Sequence, residues 1–226
     1  MEKFPTAKII EFRRKKSDSS KLTLLKNLKT PKIKEKNSEG GNYWTTSISA
    51  ISKYFKTEEK ELILDKINDL LGRYNLAQAK TSKGMYLKNI EILHNFENFD
   101  FTSYKPESTL SYKAKPNEKS IVKIKGVPLQ IRPQHVYSYK ENNEDKIGAI
   151  WFVSIKDGFN PGEIGIFTEA LNEYLFSNYS KNYIIEPDFC IAVDVSSLNS
   201  VKYSQITSGE IPSLLHSSLE SIQKLL

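Results

Sequence analysis

The chain has 226 residues, 38% hydrophobic and 11% aromatic, enough for one core of ordinary size with or without a small lobe. No apolar run approaches the roughly 20 residues of a membrane-crossing helix, and charged residues stand where a signal peptide carries its apolar segment. These features exclude an integral membrane protein with a helical span and imply a cytoplasmic one. The net charge is +6, but residues 1–36 hold ten Lys and two Arg against Glu2, Glu11, Asp18 and Glu35, leaving the rest of the chain slightly acidic.

Residues 1–40 therefore read as a basic, flexible arm. Clustered cations release condensed counterions together, so Lys8, Arg13, Arg14, Lys15 and Lys16 are expected to contact a DNA or RNA backbone. The alternative for such a leader is that its lysines simply keep it in water. Within it Lys8–Phe12 suggests a short strand, Ser17–Ser20 a break, and residues 21–29 a weak amphipathic helix that Pro31 terminates. Gly40, Gly41 and Asn42 mark a turn.

Residues 41–105 read as a helical part. Trp44, Ile48, Ile51 and Phe55 recur at helical spacing, and Thr57 is the expected N-cap of a second helix with the stripe Ile63, Ile67, Leu70, Leu71 and Tyr74. A third helix is expected from Met85 to Phe96. The aromatics Phe96, Phe99, Phe101 and Tyr104 suit either a small core under a loop or stacking on unpaired bases.

From residue 106 onward the pattern changes to a mixed sheet with flanking helices, giving an α+β fold class. Val122 and Ile124, then Val127, Leu129 and Ile131, alternate with polar residues. Val136–Tyr139 continues an extended run, Glu141–Asp145 reads as a hairpin turn, and Ile147–Ile155 is apolar enough for a central strand. Asn160, Pro161 and Glu163 announce a capped helix, with Ile164, Phe167, Leu171, Tyr174 and Leu175 on its buried face. Phe189–Val195 is a second buried strand; its Cys190 reads as a structural thiol and its Asp194 as a buried carboxylate that needs a partner, which an Arg or Lys of the helical part could supply. Residues 211–226 form a closing helix.

In element order, residues 85–226 resemble the PD-(D/E)xK, restriction-endonuclease-like superfamily. That resemblance implies a carboxylate on one strand and a (D/E)xK pair on the next, which together bind a divalent metal that activates water. Lys156 falls at the family's lysine position. Ser154 stands where the acid two residues earlier belongs, and Gln134 and His135 stand where the preceding strand would carry its aspartate. A displaced site built from Asp157, Glu163 and Glu169 would need Mg²⁺ or Mn²⁺; otherwise no cofactor or metal is implied, and His135, on a candidate strand, suits either a structural role or that of a base. Three histidines and one cysteine have no zinc-ligand spacing.

The reading is a nucleic-acid-binding protein with a nuclease-like, catalytically degenerate core, acting as a subunit of a larger bacterial assembly, with a protein effector or a second copy as partner. The alternatives are a non-enzymatic scaffold subunit and, third, a metal-dependent nuclease with a migrated acidic site.

Overall fold

A computed structural model describes residues 2–29, 43–114 and 120–226. The fold is α+β, with helices flanking a mixed sheet. The main sheet has the order β2 (Ser111–Tyr112), β5 (His135–Glu141), β6 (Glu144–Val153), β7 (Ile184–Asp194) and β8 (Ser200–Lys202). Strands β5 and β6 form a hairpin in which Glu141 pairs with Glu144 and His135 with Ile150. Its two loop residues, Asn142 and Asn143, have φ of +51° and +65°. Asparagine tolerates this left-handed pair, whose twist matches that of the flanking strands.

Strand β6 is apolar on both faces because both are covered. Ile147, Ala149, Trp151 and Val153 join one core, while Ile150 and Phe152 join the other. The crossover helix α6 (Pro161–Tyr179) returns the chain so that β7 runs parallel to β6. The Asn160 side chain accepts from the Glu163 N–H at 2.9 Å, and the Glu163 carboxylate accepts from the Asn160 N–H at 3.0 Å, completing the capping box.

A second sheet has the order β1 (Phe4–Pro5), β4 (Val127–Gln130), β3 (Ile121–Ile124). Together with α1 (Ala7–Arg14), α2 (Asp18–Lys29), α6 and α8 (Leu215–Leu225) it builds the core on one face of β6. The other core combines α3 (Thr45–Thr57), α4 (Glu61–Leu76) and α5 (Lys80–His94) with Tyr137, Phe152, Ile191 and Val193 of the main sheet.

Several sequence expectations change. Lys8–Phe12 is helical, with Ile9, Ile10 and Phe12 buried; an apolar pattern that short cannot separate period 2 from period 3.6. Phe4, Ile9, Ile10, Phe12, Leu24 and Leu25 belong to the core, so the described part of the basic arm is integral to the fold. Thr57 ends α3 and does not cap α4, whose N-cap position is Lys60. The boundary at residue 105 is not a core boundary, because α3–α5 share their core with the sheet. The expected stop at Pro31 and the turn at Gly40–Asn42 lie outside the described residues.

Candidate functional site

The link from β4 to β5, residues 131–134, is tied at both ends. Ile131 N–H donates to the Ser120 carbonyl at 2.7 Å and Gln134 N–H to the Ile150 carbonyl at 3.1 Å. The Gln134 side-chain oxygen accepts from the Phe152 N–H at 2.7 Å. Between these anchors the exposed Arg132 lines a cleft of about 530 Å³ at the carboxyl end of β6. Gln130, Gln134, Ser52, Ser154 and Trp44 also line it. Of the described lining residues none is acidic, and Arg132 alone is charged. With the Gln130 amide turned so that its oxygen faces the guanidinium, it accepts from Arg132 Nε at 3.1 Å and Nη2 at 3.0 Å. A guanidinium has five N–H donors, so a neutral amide orients Arg132 without neutralising it.

His135, the other residue standing in the aspartate's place, is not among the lining residues of this cleft, but Gln134 and Ser154 meet in it. Neither is a free metal ligand. Ser154 Oγ lies 2.9 Å from Ser196 Oγ, and the Ser196 N–H donates to Asp194 Oδ1 at 3.0 Å. Asp194, fully buried, also accepts from Ser197 Oγ at 2.9 Å. Among the described residues its partners are therefore those of the local turn and not a Lys or Arg, because a turn immediately after the strand supplies donors without moving a charge inward.

The displaced acidic site does not assemble either. Glu163 accepts from Arg14 Nε at 2.8 Å and Nη2 at 2.7 Å besides closing its capping box. Burial pushes its carboxyl up, but the Arg14 and Asn160 donors outweigh this and hold it below the ordinary carboxylate value. Glu169 accepts from Ser213 Oγ at 2.5 Å and from the Leu214 and Leu215 N–H groups at 2.9 Å, so it caps the start of α8. Asp157 sits exposed in a turn. His135 is a joint between strand and helix: its Nε2–H donates to the Ser52 carbonyl at 2.7 Å, and its ring stacks on Phe55 at 5.5 Å. Magnesium and manganese favour carboxylate oxygens; Glu163 and Glu169 have committed theirs to structural donors, and among the described residues no group of three or more His, Cys, Asp or Glu could share an ion. Among the described residues, this donor set does not fit a divalent metal.

The five basic residues of α1 and its end are not equivalent. Lys8 pairs with Glu11, Arg13 donates to Ser218 Oγ at 2.9 Å, and Arg14 holds Glu163. Lys15 and Lys16 make no ion pair among the described residues. Lys156 lies in an adjoining cleft of about 600 Å³ with Tyr43, Trp44, Leu87, Lys88 and Glu91. Trp44 lines both clefts, and its ring meets Tyr43 edge-on at 4.6 Å.

Arg132 and the role of Trp44 escaped the sequence reading. A signal was present: no carboxylate occurs between Glu118 and Glu141, although five cations do. Among the described residues no helix is long and apolar enough to cross a membrane. Family models, curated proteins and solved structures yield no match to this chain.

Proposed function

We propose that this protein binds nucleic acid without cleaving it, through a nuclease-like framework whose metal-binding acids have been replaced. The observation that supports this most is a cleft with no acid among its described lining residues, where Ser154 and Gln134, one of the two residues standing in the aspartate's place, lie beside Arg132, which has no carboxylate partner among the described residues. An exposed guanidinium in a carboxylate-free cleft attracts phosphate, while the amide and hydroxyls supply neutral hydrogen bonds to it. The element order β5, β6, α6, β7, with β6 and β7 parallel across the helix, is consistent with the PD-(D/E)xK resemblance. Lys15 and Lys16 would add phosphate contacts outside the cleft.

The test is oligonucleotide binding by fluorescence anisotropy across a salt series. Wild type should bind with strong salt dependence, and Arg132→Ala should weaken binding roughly tenfold and lower the salt slope by about one. Unchanged binding in Arg132→Ala would remove the cleft from the reading. Incubation of labelled DNA and RNA with Mg²⁺ or Mn²⁺ should leave both intact.

A second reading, a scaffold subunit in a larger assembly, is favoured by Leu64, Leu71 and Leu76, exposed along α4 at 50%, 41% and 81%. In that reading a protein partner co-purifies and survives nuclease treatment.

A further inference from the structure

Resting on the nucleic-acid reading, we infer that the ligand is a single strand, with an unpaired base on Trp44 and its flanking phosphates on Arg132 and Lys156. Two clefts, about 530 and 600 Å³, meet at one residue, Trp44. Each is within the roughly 300–1,000 Å³ typical of pockets that enclose small ligands. Arg132 lines the first and has no carboxylate partner among the described residues. Lys156 lines the second, is exposed and makes no ion pair among the described residues, whereas its neighbour Lys88 is held by Glu91 at 2.9 Å. The order along the surface is therefore cation, indole, cation.

This order suits a strand whose bases are accessible. A duplex hides its base faces in the stack and offers an aromatic side chain only edges and backbone, whereas an unpaired base presents a free π-face. Trp44 is half-buried, packs against the core of α3–α5 and meets Tyr43 edge-on, so less side-chain entropy is lost when a base stacks on it. The main-chain anchors of Gln134 fix the Arg132 side of the track in the same way. Stacking tolerates any base, so the inference predicts strand specificity with weak sequence preference.

Anisotropy titrations of wild type with a labelled 20-nucleotide strand of mixed sequence, and with its duplex at matched salt, test this directly. The single strand should bind about tenfold tighter or more, and should quench tryptophan fluorescence. Trp44→Ala should weaken single-strand binding roughly tenfold while leaving duplex binding unchanged, and Trp44→Phe should recover most of the loss. Circular dichroism melts separate folding defects from binding defects, and Lys156→Ala, at an exposed position, provides a variant with little risk to folding; it should lower the salt slope by about one. Equal affinity for strand and duplex, or full single-strand binding by folded Trp44→Ala, overturns the inference but leaves the nucleic-acid reading standing. Absence of binding to either form overturns both.

Discussion

Glu163 shows how a side chain singled out from the sequence as a candidate acid can be taken up by structure. Its carboxylate caps α6, receives two guanidinium donors from Arg14 and is nearly buried, so three of its roughly four lone-pair sites are already taken by structural donors. Removing the guanidinium in Arg14→Ala should cost about 2 kcal/mol in urea unfolding, because a largely desolvated carboxylate loses charge-assisted hydrogen bonds. The sign of the pH effect follows from the lowered carboxyl. Stability from the pair is complete above the ordinary carboxylate value of 4.5 and is lost as pH falls below it towards the folded-state value. Thermal melts between pH 7 and pH 2.5 should therefore show a smaller acid-induced loss in Glu163→Gln than in wild type; parallel losses would show that the pair contributes nothing to acid sensitivity. In the sequence, Asn160, Pro161 and Glu163 made the cap legible, but the Arg14 partner lies 149 positions away and left no local trace.

Among the elements, those with long periodic patterns could be read directly, as could the alternating four-residue strands β3 and β4, whereas the first helix could not. The β5–β6 hairpin followed from its polar turn, and α6 from its cap and apolar face. The helix α1 did not, since Ile9, Ile10 and Phe12 fit a strand as well as one helical turn until Phe4 pairs beside Leu129 and fixes the chain direction. Gly148 carries a requirement that its local sequence hides. The β6–β7 register shifts between Ile147 and Ala149, and a Cβ at Gly148 would stand 2.6 Å from the Phe189 carbonyl and 3.0 Å from the Tyr137 ring. Backbone cannot yield as a flexible side chain can, so Gly148→Ala should destabilise the fold by about 1–3 kcal/mol in denaturant unfolding. Wild-type stability in that variant would mean that the bulge relaxes without cost.

For the molecule as a whole, the main consequence is that the basic N-terminal segment and the helical part are built into the sheet domain. Phe4, Ile9, Ile10 and Phe12 are essentially buried, and each such side chain contributes about 1.5–3 kcal/mol. Their sum rivals the whole net stability of a typical domain, roughly 5–15 kcal/mol. Deletion of residues 2–16 should therefore abolish the cooperative thermal transition; a deletion variant that melts like wild type would show that the segment is a true appendage. Binding experiments on the N-terminal cations consequently require point substitutions such as Lys15→Ala with Lys16→Ala. The α+β class, the central strand, the capped crossover helix and the absence of acids at 134 and 154 were all legible in the sequence, because each depends on local periodicity, local capping or residue identity. The cleft, the partners of Glu163, Glu169 and Asp194, and the meeting of Arg132, Trp44 and Lys156 required the folded chain. They are contacts between segments distant in sequence, where neither periodicity nor spacing carries information about which side chains will face one another.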